Sequence, residues 1–306
     1  MRLAVPDLIS NSYFPAAAAD VLGFYADEGL DIAHELIFPV DDCYRALRDG
    51  EIDFVGGSAH ATLAGFPNFE GARIVAALSQ GMYWFLIMRS DLNVARGDIE
   101  SVKGRNIGAA PWVELGLKRL LTESGIDLEG DNVNIAPVPG SVQPGVSFGV
   151  TAAKALEDGK LDGFWANGMG AETAIKRGVG TLVLDVRRGD GPAAAFNYTQ
   201  PVLVARQDMI RDDPDTVAAA VRAIVKVQNA LKADIGRAAE VGQKIFSPGD
   251  AAMIGAVVER DLPFYDASVS EEFVAGMNQF ALDMGLMDNP LPYGRIVATE
   301  FSRYWS

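Results

Sequence analysis

The sequence predicts an α/β protein built as two lobes, and three observations carry that prediction. Short apolar strands alternate with helical patterns along the whole chain, the hallmark of an α/β fold. The stretch "ALRDGEIDFVGG" at 46–57 returns as "ALEDGKLDGFWANG" at 155–168. In both, a helix runs into an Asp-Gly turn, a short strand and a loop of small residues. A repeat spacing of about a hundred residues is too long for a solenoid, so two similar α/β units explain it better. Finally, two apolar extended runs, "MYWFLIMRSDL" (82–92) and "NYTQPVLVARQDM" (197–209), each close on Arg-x-Asp. They read as paired crossing strands, which places residues 1–88 and 200–306 in lobe 1 and inserts residues 89–199 as lobe 2. Two strands at such a boundary form a natural hinge.

Element by element, "RLAVPDLIS" is a strand leaving into a polar loop. "NSYFPAAAADVLGFYADEGL" is a helix ending at Gly29, and "DIAHELIF" is the next strand. "PVDDCYRALRDG" is a short helix with Asp41 as its N-cap and Gly50 as its stop. The C-terminal third is helical. Asp213 caps a long helix with Pro214 at its first position, and Val217, Val221, Ile224, Gln228 and Leu231 trace one face. A later helix lines up Phe273, Met277, Phe280 and Met284, a stripe expected to face the core.

Composition narrows the function. The 306 residues suffice for two cores; 49% are hydrophobic and 22% charged, as in ordinary globular proteins. A net charge of −15 argues against nucleic acid and anionic membranes as partners, since both recruit clustered Lys and Arg. No stretch approaches the roughly 20 apolar residues needed to cross a bilayer, so the chain is not expected to be membrane-spanning. "MRLAVPDLIS" already reads as a strand rather than a leader. The protein is therefore cytoplasmic if Met1 is its natural start, and periplasmic or lipid-anchored if a leader was removed. The single cysteine permits no internal disulfide and fits either compartment. Cys43 falls in the first turn of a helix, where the dipole lowers a thiol pKa. Ala46 and Leu47 share its apolar face, however, so a buried structural thiol is expected.

Several stretches resemble one group of known proteins. "GFYADEGLDI" (23–32), "ALRDGEIDF" (46–54), "DIESVKGRNIGA" (98–109), "DDPDTVAAAVRAI" and the closing "GLMDNPLPYGRIV" are similar to segments of solute-binding proteins that serve ABC importers for sulfonates, nitrate and thiamine precursors. The resemblance runs over nearly the whole chain in order. It implies a type 2 periplasmic-binding-protein fold, with the ligand cleft between two α/β lobes at a two-strand hinge. Ligands of such sheets lie beyond the carboxyl ends of the strands.

The same fold hosts enzymes, and short segments of this chain resemble two of them. "GGSAHATLAGFP" resembles a segment of the thiamine-pyrimidine synthase, whose consumed histidine matches His60. The lysine that this enzyme needs for pyridoxal phosphate is Gly56 here, and its cysteine-rich iron motif is missing from a chain with one Cys. "LISNSYFPA" resembles the nucleophile loop of a sulfinate desulfinase, but Ser12 stands in place of the cysteine and the partner arginine has no counterpart. Serine without an evident base is a poor nucleophile. Other enzyme motifs are lacking: there is no Walker loop, and "HELIF" has Phe38 where a zinc-protease motif needs its second histidine. No cofactor and no metal site are expected.

His60 remains, at an expected strand-to-helix junction behind Gly56, Gly57 and Ser58. Glycines admit a ligand to the backbone, and a helix N-terminus offers free N–H donors. Against a merely packed histidine, a ligand-binding role is the reading adopted. Other loops expected at the ligand carry amides, hydroxyls and aromatics: Ser10, Asn11, Ser12 and Tyr13; Gln80, Tyr83 and Trp84; Trp112, Ser141, Trp165 and Asn167; Asn197 and Tyr198. "SVQPGVSFG" (141–149) reads as a loop near the mouth. Flat aromatic walls with few polar partners suit a planar organic ligand. The expected function is a solute-binding component that captures a small planar, aromatic or heteroaromatic solute by lobe closure and presents it to ABC permease subunits. The alternative is a cytoplasmic enzyme on the same fold, a decarboxylase, desulfinase-like lyase or hydrolase of an aromatic acid. There His60 would be the acid or base, assisted by Ser12 or Tyr13.

Overall fold

The computed structural model of the protein describes residues 1–8, 10–141 and 147–306. Among the described residues, ten strands follow one another: β1 Arg2–Val5, β2 Ala33–Leu36, β3 Phe54–Ser58, β4 Ala72–Ala77, β5 Phe85–Arg89, β6 Asn106–Ala109, β7 Asn134–Ala136, β8 Gly163–Ala166, β9 Gly180–Asp185 and β10 Pro201–Arg206. They form two five-stranded sheets, ordered β2-β1-β3-β10-β4 and β7-β6-β8-β5-β9. The chain divides into a first unit, Met1–Gln80 with Thr199–Ser306, and a second, Gly81–Tyr198.

The first division therefore falls at Gln80 and not after residue 88. The reason is β5, which pairs with β8 and β9 and belongs wholly to the second unit. The two apolar runs read as paired crossing strands do not pair with each other. Instead β5 lies antiparallel between β8 and β9, and β10 lies antiparallel between β3 and β4. Each is the one reversed strand of an otherwise parallel sheet.

The internal echo is structural. The helices Val40–Arg48 and Phe148–Glu157 both end one residue before an Asp-Gly turn, where Gly50 and Gly159 adopt φ of 75° and 69°, a region that favours glycine. The aspartate three residues on closes the same ring in both units. Asp53 Oδ2 accepts from Arg2 N at 2.8 Å while Arg2 O accepts from Asp53 N at 2.9 Å. Asp162 Oδ2 accepts from Asn106 N at 2.9 Å while Asn106 O accepts from Asp162 N, also at 2.9 Å.

Both reversed strands also meet a bulge. The register of β10 on β4 steps from Ala76 to Ile74, and that of β5 on β9 from Leu184 to Leu182, so Val75 and Val183 have no opposite residue. An extra residue of this kind frees backbone groups that must be satisfied elsewhere. Trp305 Nε1 donates to Val75 O at 2.9 Å, and Gly97 N donates to Val183 O at 2.8 Å.

Helices differ from the expectation in places. The first one stops at Val21, because Gly23 adopts φ 81°, and restarts as Phe24–Asp27. Helix Val40–Arg48 is preceded by Pro39 rather than capped by Asp41, whose carboxylate instead pairs with Arg45 at 2.6 Å. Cys43 is fully buried and its thiol donates to Ile37 O at 3.0 Å. Burial, aided by Asp42 and Asp41, pushes that thiol well above its usual pKa, so it is inert packing. Asp213 caps the helix Pro214–Ala233 by accepting from Thr216 N, and the predicted face of Val217, Val221, Ile224, Gln228 and Leu231 is buried. In the second unit, helices Phe148–Glu157 and Gly168–Lys176 meet glycine on glycine: a Cβ at Gly170 would lie 2.7 Å from Gly149 Cα. Of the expected 141–149 loop, residues 142–146 lie outside the described residues.

Candidate functional site

In the first unit, the carboxyl ends of β1, β3 and β4 and the amino end of β10 share one sheet edge, as the registers Ala4↔Val55, Pro201↔Ser58 and Val202↔Ala77 require. Onto this edge the sequence delivers Ser10, Asn11, Ser12 and Tyr13 after β1, Ser58 at the end of β3 with His60 after it, and Thr199 and Gln200 before β10. All are 5% exposed or less. Polar groups this deeply buried need partners, and most of their partners are identifiable.

His60 Nδ1 lies 2.9 Å from Thr199 Oγ1, and its ring packs edge-on against Phe280 at 5.4 Å. Ser12 N donates to Ser10 Oγ at 3.3 Å. Asn11 Nδ2 donates to Asp261 Oδ2, and Asn11 O accepts from Tyr265 Oη at 2.5 Å. Asp261 is itself fully buried, with Arg260 Nε 3.7 Å from its other oxygen. The Gln80 side chain is spent on structure: its Nε2 donates to Asp266 O and Ser268 O, both at 2.8 Å, which fixes the segment that carries Tyr265. Three buried atoms on this edge, Asn11 Oδ1, Ser58 Oγ and Gln200 Nε2, have no hydrogen-bond partner among the described residues.

Two expectations about this edge change. His60 lies inside a 3₁₀ turn, Ala59–Ala61, that leads into a four-residue helix, Thr62–Gly65, too short to build up a helix dipole. Gly57 has a packing reason to be small. A Cβ there would lie 2.8 Å from the hydroxyl of Tyr44, which donates to Ser58 O at 2.8 Å.

The second unit repeats the layout with aromatics. Tyr83 and Trp84 precede β5, and Trp165 lies in β8. Ring centroids are 4.6 Å apart for Tyr83–Trp84 and 6.3 Å for Trp84–Trp165. Trp165 is fully buried, and its indole Nε1 has no acceptor among the described residues. Trp112 holds φ 68° before helix Val113–Glu123, a conformation rare for a bulky side chain. Asn167 is a cap: its Oδ1 accepts from Met169 N and Gly170 N at 3.1 and 3.2 Å. Ser141 Oγ donates to Val138 O at 2.6 Å, and Tyr198 Oη donates to Glu123. Asn197 is half-buried in the turn Ala193–Asn197.

Sequence reasoning missed Asp261, Tyr265, Thr199 and Phe280 in the first unit and Arg187 in the second. Arg187, 6% exposed, lies 5.6 Å over the Tyr83 ring and donates to Gly81 O at 3.3 Å. His34 is held by Asp20, with Nδ1 2.5 Å from Oδ2. Among the described residues no cluster of three or more His, Cys, Asp or Glu could hold a metal, and no helix is long and apolar enough to cross a membrane.

Residues 11–234 match the model of the NMT1/THI5-like family. The chain belongs to that family. Among curated proteins, none matches the chain. Solved structures share its fold across nearly its full length. A protein of Bordetella bronchiseptica RB50 is 19% identical with a TM-score of 0.73, over 99% of this chain and 95% of that one. The alkanesulfonate-binding protein SsuA of Xanthomonas axonopodis pv. citri, bound to MOPS, is 16% identical with a TM-score of 0.69, over 98% and 96%. The desulfurization enzyme DszB, as a mutant with biphenyl-2-sulfinic acid, is 16% identical with a TM-score of 0.65, over 99% and 97%. This is the two-lobed fold of the periplasmic binding proteins.

Proposed function

We propose that the protein is the solute-binding component of an ABC importer, working outside the cytoplasm. It would capture a small planar, aromatic or heteroaromatic solute by lobe closure and hand it to permease subunits. The observation that carries this reading is the set of buried polar atoms with no partner among the described residues, Asn11 Oδ1, Ser58 Oγ, Gln200 Nε2 and Trp165 Nε1. Each costs stability unless something completes it. Ser58 ends β3, Gln200 precedes β10 and Asn11 lies in the loop after β1, and α/β sheets take ligands beyond their strand ends. The aromatic cluster of Tyr83, Trp84 and Trp165 supports a flat ligand, because stacked rings gain from facing π surfaces. Family membership and the fold shared with sulfonate-binding SsuA support the transport role.

One observation favours a second reading, an enzyme acting on an aromatic acid. The His60 ring is oriented by a buried hydroxyl, Thr199, as a general base is oriented by a third group, and DszB shares the fold. Native mass spectrometry after incubation with aromatic acids, sulfonates, amides and pyrimidines separates the two. A carrier retains its ligand at the original mass and consumes none. Release of a ligand of altered mass under turnover would establish the enzyme. In a carrier, His60→Ala weakens retention modestly; in an enzyme it stops conversion with binding largely kept.

A further inference from the structure

We propose that the first unit selects a neutral solute whose polar edge carries an N–H or O–H donor beside an acceptor, and discriminates against acceptor-only anions, because buried Asp261 locks the Asn11 amide with its oxygen toward the ligand. This rests on the solute-binding reading above and names its chemistry.

The lock follows from what each group can do. A carboxylate accepts hydrogen bonds and donates none. Asp261 Oδ2 therefore takes the NH₂ end of Asn11, and Arg260 Nε lies 3.7 Å from its other oxygen. Turning the amide over would set its oxygen against the carboxylate. Tyr265 Oη, 2.5 Å from Asn11 O, fixes the backbone as well. The amide cannot adapt, and Asn11 Oδ1 is left buried as an acceptor with no donor among the described residues.

Topology brings the segments of two more unpartnered groups to the same sheet edge. Asn11 follows β1, Ser58 ends β3 and Gln200 precedes β10, and β3 lies between β1 and β10. Ser58 Oγ can donate or accept, and Gln200 Nε2 can only donate. The edge thus presents an acceptor, an amphoteric hydroxyl and a donor. A carboxamide, or an amino group next to a ring nitrogen, answers all three. A sulfonate or carboxylate offers lone pairs alone and leaves Asn11 Oδ1 unmet. Sites built around a hydrogen-bonded group reject analogues that lack it far more strongly than apolar pockets reject a change of size.

The test is a set of four matched single-ring probes, read by titration calorimetry and by mass: benzamide, methyl benzoate, benzoate and benzenesulfonate. Benzamide should bind roughly tenfold or more tightly than each of the other three. Methyl benzoate separates the missing donor from the added charge. In Asp261→Asn the neighbour can donate or accept, the Asn11 amide turns freely, and the preference should shrink to within about threefold. A thermal melt checks that this variant folds; if it does not, Tyr265→Phe takes its place and should reduce the preference partway. Benzoate or benzenesulfonate binding as tightly as benzamide overturns the proposal, and leaves the carrier reading standing if the retained probe is unchanged. Conversion of a probe overturns the carrier reading, while the ranking still decides the donor rule. Binding of none of the four overturns the proposal.

Discussion

His60 Nδ1 and Thr199 Oγ1 lie 2.9 Å apart in the first unit, and both residues are fully buried. One follows β3 and the other precedes β10, so this contact ties together two segments far apart in the chain. Thr199→Val keeps the shape and removes the hydroxyl, stranding a ring nitrogen away from water. The expected loss is about 1–3 kcal/mol of unfolding free energy, measured by denaturant titration. Thr199→Ser restores the hydroxyl and should recover most of it.

Gly57→Ala should destabilise the first unit by about 1–3 kcal/mol through overpacking. The added methyl would meet the Tyr44 hydroxyl at 2.8 Å and break its bond to Ser58 O. Paired with Tyr44→Phe, the loss should be smaller than the sum of the two single changes, because the clash and the bond share one atom. A double-mutant cycle in urea reads the coupling directly; strict additivity would refute this account.

Gly170→Ala tests the second unit. Its methyl would lie 2.7 Å from Gly149 Cα, and backbone cannot step aside as a side chain can. Helices Phe148–Glu157 and Gly168–Lys176 must separate, at a cost of about 3 kcal/mol or more. Calorimetry should show the transition of the second unit lowered. An unchanged transition would mean that the helices slide without cost.

Glu28 sets an acid limit. Burial raises its carboxyl pKa, but bonds from Lys226 at 2.5 Å and Arg222 at 2.6 Å outweigh that and hold it below the usual glutamate range. A pKa lowered in the folded state gives stability that is fully present above the unfolded value and lost as pH falls through the folded one. Glu28→Gln should therefore cost roughly 1–2 kcal/mol at neutral pH. The gap to the parent should close as the pH falls through the folded-state value, which lies below the usual glutamate range. Unfolding curves between pH 7 and pH 3 read it.

Local grammar was the legible part of the sequence. The repeat 46–57/155–168 announced two related units, and the Asp-Gly turns landed on glycines with positive φ at 50 and 159. Asp213 and Pro214 opened their helix as read. What failed was pairing across long separations. The two crossing runs looked like partners because both are apolar and extended, yet strand partners are chosen by where the intervening chain carries each strand. Asp261 and Tyr265 were invisible for the same reason: nothing in "DLPFYDAS" indicates that both reach Asn11. Gly57 misled differently, since a glycine near a site looks the same whether a ligand or Tyr44 claims the space.

The place of β10 in its sheet bears on how the protein is made. β10 lies between β3 and β4, but is synthesised after every strand of the second unit. A nascent chain that ends at Tyr198 already holds all five strands of the second sheet and only four of the first, with β4 lacking its neighbour. The second unit is contiguous and can fold as soon as it leaves the ribosome, whereas the first must wait, its apolar strand edges open, for residues 201–206. Long-range closure of this kind is slow and exposed to misassembly. The half of the molecule that begins the chain is thus the half that finishes last.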